Sequence, residues 1–114
     1  MDINFFKKTR ILDGGMGQEL LARGMKPQGT LWSANALLQE KYHKLLFDTH
    51  KDFVKAGAEV IITTSFTTRK IRLRDNNVED KFEYLNQKAG EIAKKVKEIY
   101  PEVLIAGGLP PQSL

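Results

Sequence analysis

The sequence predicts an α/β fold built on a small parallel sheet. Three short apolar segments, near residues 10–12, 59–64 and 103–106, are separated by long stretches with helical periodicity. Because strands joined by long helical crossovers run parallel, this alternation indicates a βαβαβ order. Each apolar segment is followed by polar or glycine-rich residues, and in parallel α/β folds the functional site lies at the carboxyl ends of the strands.

The first predicted strand, 10–12, stops at Asp13-Gly14-Gly15. Residues 16–23 then have the apolar spacing of a short helix, and Gly24 is placed to end it. The following segment, 25–30, contains a proline and a glycine and is predicted to be a loop.

The second predicted strand follows the most periodic part of the chain. Apolar and hydroxyl residues recur there at the spacing of one helix face, and Gly57 marks the end of the predicted helix. The members of this face are Leu38, Tyr42, Leu45, Leu46, Thr49 and Phe53. Residues 59–64 follow as a continuous rather than alternating apolar run, which is typical of a parallel strand covered on both faces.

The third predicted strand, 103–106, comes after a turn at 75–77 and a helix that begins at Phe82. Pro101 ends that helix, because the residue before a proline disfavours the α region. A sheet of three parallel strands leaves two apolar edges unpaired. We therefore expect the chain to be a piece of a larger α/β fold and to self-associate through these edges.

Composition excludes several classes of protein. The chain has 114 residues, a formal charge of +4 and no cysteine, so it holds no disulfide, cysteine nucleophile or thiolate metal site. It lacks an apolar run of about 18 residues and the apolar core of a signal peptide, so no membrane partner and a cytoplasmic location are expected. The basic run 69–74 lacks interleaved aromatic residues, which argues against a nucleic-acid interface. A solvated basic face is favoured, with a local anion site as the alternative.

The residues after the strands are the candidate site. Asp13 could bind a substrate ammonium group or could cap the helix that follows it. The glycines after it allow either a close approach of a ligand to backbone amides or a plain tight turn. Trp32, in a loop, is either a packing anchor or the wall of a pocket. His43 and His50 are seven residues apart, a spacing that favours structural roles over metal binding.

Four strings of residues, taken together, resemble the homocysteine S-methyltransferase family. Their order and spacing span nearly the whole chain: residues 11–20 (ILDGGMGQEL), 31–34 (LWSA), 56–66 (AGAEVIITTSF) and 105–111 (IAGGLPP). The resemblance implies a (β/α)₈ TIM barrel of about 250 residues. Residues 1–114 would supply its first three βα units as a partial homocysteine-binding domain.

The resemblance also implies an activity, which is methyl transfer to the sulfur of homocysteine to give methionine. In the family a zinc ion held by three cysteines keeps the thiol ionised. This chain has no cysteine, so no metal ligand and no catalytic residue is assigned to it, and it is expected to be inactive and zinc-free by itself.

The substrate-binding residues follow from the same resemblance. Asp13 and Gly14 match the family's site for the amino group and backbone of homocysteine, and Trp32 matches an aromatic position near the methyl donor in some members. Thr64 and Phe66 match the end of the second strand. Thr67 stands where betaine-using members have tyrosine, a departure that argues against betaine as the donor. The string LWSA at 31–34 favours S-methylmethionine, with methylfolate also open.

Two alternatives remain open at this stage. The chain could be a free-standing α/β module that binds or self-associates without catalysis. It could also belong to a TIM-barrel enzyme of another reaction class, although it lacks a phosphate-loop motif.

Overall fold

The computed structural model describes residues 7, 9–65 and 67–107, which form an α/β structure as the sequence predicts. In chain order its elements are α1 (Met16–Ala22), α2 (Asn35–Leu38), α3 (His43–Lys55), β1 (Val60–Ile62), α4 (Lys70–Asp75), α5 (Phe82–Ile99) and β2 (Leu104–Ala106). Short 3₁₀ turns precede α2, α3 and α5.

The sheet is parallel, and β1 is its central segment. Val60 of β1 is opposite Leu104 of β2, and Ile62 is opposite Ala106. Leu12 adds an isolated parallel bridge to Val60. Because Val60 pairs with both Leu12 and Leu104, β1 lies between the two flanking segments.

The strands are shorter than the sequence predicts. The strand expected at 10–12 is reduced to the single bridge at Leu12. The strand expected at 59–64 is reduced to β1, and the one expected at 103–106 to β2. Directly after the bridge, Oδ2 of Asp13 accepts a hydrogen bond from the Ile62 amide at 3.0 Å.

Three helices end in the same hydrogen-bonded motif. In α1, the Gly24 amide donates to the Leu21 carbonyl and the Met25 amide to the Leu20 carbonyl, both at 3.0 Å. This pattern needs a residue with positive φ, and Gly24 has φ +106°. Gly57 ends α3 in the same way at φ +118°, which confirms both predicted stop signals.

The third motif ends a helix that the sequence did not predict. Asn77 has φ +61° and terminates α4, which contains most of the basic run 69–74. Leu73 of this run is fully buried in the core, so only part of the run is a solvated face. The predicted helix face from Leu38 to Phe53 is also divided, because Gln39 has extended backbone between α2 and the turn before α3.

Helices α3 and α5 pack together and cover the sheet. Ile61 of β1 is buried against Ala93 and Val96 of α5 and against Val103. A larger apolar cluster joins α1, α2, α3 and α5. Within the described ranges, no helix is long and apolar enough to cross a membrane.

Candidate functional site

A cleft of about 550 Å³ lies at the carboxyl end of β1. It brings together four of the five predicted substrate-binding residues, and the fifth, Phe66, lies outside the described residues. The lining residues are Asp13, Gly14, Gly15, Met16, Gly17, Gln18, Trp32, Ser33, Ile62, Thr63, Thr64, Thr67 and Arg72. Residues that follow the first two predicted strands therefore meet at this cleft, and their part in substrate binding stays a prediction.

Asp13 is tied to β1 by its backbone and its side chain. Its amide donates to the Val60 carbonyl at 3.1 Å, and Oδ2 accepts from the Ile62 amide. The prediction that Asp13 caps α1 is wrong, since Gly15 is the N-cap residue and no side chain caps that helix. Oδ1 makes no hydrogen bond to another residue in the described part of the chain.

The environment of Asp13 favours a cationic partner. Burial raises the pKa of this carboxyl, and the Ile62 amide and the residue's own amide oppose the rise. A desolvated carboxylate that lacks a cation is stabilised when an ammonium group binds beside it. The carboxyl is thus suited to the amino group of a ligand.

Gly14 is favoured by close packing rather than by backbone conformation. Neither Gly14 nor Gly15 has positive φ, so the left-handed turn that glycine often supplies is not formed here. A Cβ atom at Gly14 would lie 3.0 Å from Cε1 of Phe53, so the ring of this α3 residue occupies the space that a side chain would need.

Trp32 is a wall of the cleft rather than a buried anchor, because 55% of it is exposed. Its ring lies against the start of α1, where a Cβ on Gly17 would stand 3.7 Å from its Cε3 atom. The backbone of Trp32 has φ +53°, a left-handed conformation that costs a non-glycine residue about 1–2 kcal/mol.

Thr67 holds the turn that carries Trp32, a role that the sequence did not reveal. Its buried hydroxyl donates to the Leu31 carbonyl at 2.6 Å and accepts from the Ala34 amide at 3.1 Å. One side chain thus bridges the residues on both sides of the strained position. No local signal marks this contact, since Thr67 is 36 positions from Leu31.

Thr64 contacts a buried histidine behind the cleft. Oγ1 of Thr64 lies 3.3 Å from Nε2 of His50, which is fully buried in α3. Burial lowers the pKa of His50 from 6.5 to about 4, so the ring is neutral at physiological pH. The structural role that the sequence predicts for this histidine is consistent with its position.

The hydrogen bonding of His50 orients the Thr64 hydroxyl. Within the part of the chain that the structure describes, Nδ1 of His50 is buried without a hydrogen-bond partner. Because an orphaned buried N–H is rarer than an unused acceptor, we assign the proton to Nε2, which then donates to Thr64. The hydroxyl hydrogen of Thr64 is left to donate elsewhere, and Thr64 lines the cleft.

Metal ligands do not converge in the described residues. No group of three His, Asp or Glu residues there could hold an ion, and the chain has no cysteine. Of the two histidines, His43 bonds the Leu37 carbonyl through Nε2 at 2.7 Å, and His50 bonds Thr64. The residues of this chain therefore do not fit the zinc ion that the resemblance implies.

Comparisons with known proteins find relatives that match most of this chain. A family model described as homocysteine S-methyltransferase matches residues 10–114. Homocysteine S-methyltransferase of Escherichia coli is 32% identical over 109 residues, which cover 89% of this chain and 34% of that protein. Homocysteine S-methyltransferase 2 of Saccharomyces cerevisiae is 33% identical over 78 residues, which cover 61% of this chain and 24% of that protein.

A solved structure has the same fold over the matched region. The metallated form of the homocysteine methyltransferase MmuM from Escherichia coli aligns with a TM-score of 0.79 and 32% identity. The alignment covers 96% of this chain and 41% of that one, so the chain spans between a quarter and two fifths of these relatives. With the family model matched over nearly all its length, the chain belongs to the homocysteine S-methyltransferase family.

Proposed function

We propose that this chain forms the homocysteine-binding side of a methyltransferase. The reaction would transfer a methyl group from a donor such as S-methylmethionine to the sulfur of homocysteine. The bond from the donor's sulfonium sulfur to its methyl carbon breaks, the homocysteine sulfur bonds to that carbon, and the thiol proton is lost. With S-methylmethionine, both products are methionine, which makes the reaction a step of methionine biosynthesis.

The architecture proposed for this activity is a (β/α)₈ barrel. Residues 1–114 would contribute its first βα units, and the protein would act in the cytoplasm. The parallel order of Leu12, β1 and β2 supports this proposal, because successive strands of such a barrel are neighbours. The position of the cleft at the carboxyl end of β1 supports it too.

One observation carries the proposal, which is the convergence of Asp13, Gly14, Trp32 and Thr64 on one cleft. The Asp13 carboxylate would accept hydrogen bonds from the ammonium group of homocysteine, and Thr64 would donate a hydrogen bond from its hydroxyl. The exposed Trp32 ring would attract the sulfonium of the donor by a cation–π interaction. Phe66 is proposed as a further contact from the resemblance alone.

The proposed role of this chain is binding and orientation. A zinc ion held by cysteines would keep the homocysteine thiol ionised at neutral pH. This chain has no cysteine to hold that ion. Its own residues would fix the amino-acid end of homocysteine so that the sulfur is presented to the donor. Activation of the thiol is not assigned to any of them.

The test uses Trp32, the single tryptophan of the chain, as a fluorescent reporter inside the cleft. L-homocysteine is expected to change its emission with saturation, and Asp13→Asn is expected to weaken binding by roughly tenfold or more, as for the loss of a charged hydrogen-bond partner. Asp80→Asn, an exposed carboxylate away from the cleft, is the matched control. Equal affinities in both variants, or no saturable binding to the wild type, would contradict the proposal.

A further inference from the structure

We propose that Arg72 binds the carboxylate group of the amino acid held in the cleft. The sequence favours a solvated face for the basic run 69–74 and leaves a local anion site as the alternative, and neither the family resemblance nor the predicted site includes this residue. The inference rests on the proposed function, because it concerns how the same cleft recognises its amino-acid ligand.

Arg72 lies in the wall of the cleft and is partly buried there. Its guanidinium makes a long hydrogen bond, 3.4 Å from Nη1 to the Thr30 carbonyl. A hydrogen bond of this length is weak, so most of the five guanidinium donors remain available. Among the described residues, no carboxylate forms a salt bridge with Arg72.

Arg74, which lies two residues after Arg72 in α4, has a carboxylate partner. Its Nε atom lies 2.5 Å from Oε2 of Glu79, and 68% of its side chain is exposed. The pKa of Glu79 is lowered by this hydrogen bond, so the pair is satisfied at the surface. Arg72, in contrast, reaches the cleft without a carboxylate partner from the described chain.

The position of Arg72 is fixed relative to the Trp32 turn by Asn76. The Asn76 side chain donates to the Arg72 carbonyl at 2.9 Å and to Oγ1 of Thr30 at 2.8 Å. Its Oδ1 atom accepts from the Thr30 amide at 3.1 Å. This amide bridge joins α4 to the segment that leads into Trp32, so the backbone of Arg72 is anchored beside that wall.

The charges of the cleft match an α-amino acid. Asp13 and Arg72 are the charged members of its lining, and the other lining residues are glycines, hydroxyl residues, one amide and apolar side chains. One carboxylate and one guanidinium complement the ammonium and the carboxylate of a zwitterion. Homocysteine and S-methylmethionine both present these two groups, so the carboxylate could come from the acceptor or from the donor.

The experiment compares Arg72→Gln, which removes the charge, with Arg74→Gln, a matched change on the same helix. Trp32 fluorescence measures the affinity of each variant for L-homocysteine, for its decarboxylated analogue and for S-methyl-L-methionine. Loss of a charged hydrogen bond predicts binding weaker by roughly tenfold or more in Arg72→Gln. Arg72→Lys, which keeps the charge without the planar fork, should recover part of this loss.

The analogue separates carboxylate recognition from a general effect on the cleft. Arg72→Gln should bind the decarboxylated analogue as the wild type does, and Arg74→Gln should bind all three ligands normally. A loss confined to homocysteine assigns Arg72 to the acceptor, and a loss confined to S-methylmethionine assigns it to the donor. The denaturation midpoints of both variants show whether either change perturbs the fold.

Two outcomes would overturn the inference in different ways. If the wild type binds homocysteine and Arg72→Gln binds both amino acids equally well, Arg72 has no part in recognition and the proposed function stands. If Arg72→Gln loses affinity for the decarboxylated analogue as much as for the amino acids, Arg72 does not recognise the carboxylate, and the proposed function again stands. If the wild type binds neither amino acid, the proposed function itself fails and the inference fails with it.

Discussion

Nε2 of His50 lies 3.3 Å from Oγ1 of Thr64, so a buried residue of α3 faces a residue of the cleft. With its proton on Nε2, the ring donates to the hydroxyl and leaves the hydroxyl hydrogen for another acceptor. A histidine with no surface exposure thus contacts a hydroxyl group that lines the cleft.

The first prediction concerns the pH dependence that His50 gives to folding. Its pKa is about 4 in the folded chain and about 6.5 when unfolded, so the unfolded state binds more protons between these values. Stability is therefore present above pH 6.5 and falls as the pH is lowered toward 4, by up to about 3 kcal/mol. Urea denaturation across this range should show the loss.

The control for this prediction is His50→Gln, which removes the titrating ring. Its stability should change less than that of the wild type between pH 6.5 and 4. The raised pKa of Asp13 acts in the opposite direction in both proteins, so only the difference between the two curves reports on His50. Parallel curves would show that His50 is solvated in the folded state.

The second prediction concerns Asp13 and the pH dependence of binding. Because burial raises the pKa of its carboxyl, the charge that attracts an ammonium group is lost at a higher pH than for an ordinary aspartate. Homocysteine affinity should therefore weaken as the pH falls through the raised pKa of Asp13. Fluorescence titrations at successive pH values measure this, and a pH-independent affinity in the acidic range would contradict it.

Asp13 also links binding to stability. A raised folded pKa means that the folded state binds the proton more tightly, so this group's contribution to stability is lost as the pH rises through that pKa. Asp13→Asn keeps an oxygen that can accept from the Ile62 amide but carries no charge. At neutral pH we expect this variant to unfold at an equal or higher urea concentration than the wild type while it binds homocysteine less well.

The third prediction tests the hydrogen bonds by which Thr67 holds the turn at Trp32. Thr67→Val removes the hydroxyl that contacts Leu31 and Ala34 and should destabilise the chain by about 1–3 kcal/mol, the cost of losing buried hydrogen bonds. Thr67→Ser keeps the hydroxyl and should retain most of the stability. Emission from Trp32 should shift in Thr67→Val, because the left-handed turn at Trp32 is no longer held by the hydroxyl. Equal spectra and equal stabilities in Thr67→Val and the wild type would show that the turn forms without these hydrogen bonds.

The fourth prediction concerns the chain without added partners. Since it has no cysteine, we expect the purified 114-residue chain to hold no stoichiometric zinc and to form no methionine from homocysteine and a methyl donor. Metal analysis and a product assay check both points. Bound zinc together with methionine formation would require other ligands, and the two histidines would be the first to substitute.

The fifth prediction is self-association through the edge of the sheet. Ile11 and Leu12 are 55% and 54% exposed beside β1, and an exposed apolar edge favours pairing with another chain. Sedimentation should show species larger than a monomer, and Ile11→Lys should reduce them, because a lysine at an edge opposes pairing. A wild-type monomer that unfolds cooperatively would favour the free-standing module instead.

The sequence by itself determined the elements whose signals are local. The apolar runs of β1 and β2, the periodicity of α5 and the glycines that end α1 and α3 act through residues a few positions apart. It also determined the family, because four strings in order and spacing are specific even though each is weak alone. Convergence of Asp13 and Thr64 followed from the rule that parallel strands present their carboxyl ends at one edge. Trp32, which follows no strand, was expected at the site from the family resemblance.

Only the tertiary structure decided the contacts that cross long stretches of chain. Asp13 accepts a hydrogen bond from the Ile62 amide rather than capping α1. The Thr67 hydroxyl holds the turn of Trp32 by hydrogen bonds. Arg72 reaches the cleft from α4, a helix that the sequence did not predict. In each case the partners are 36 to 49 positions apart or belong to different elements. Local propensity contains no information on such pairs, because burial and hydrogen-bond geometry arise only when the helices pack on the sheet.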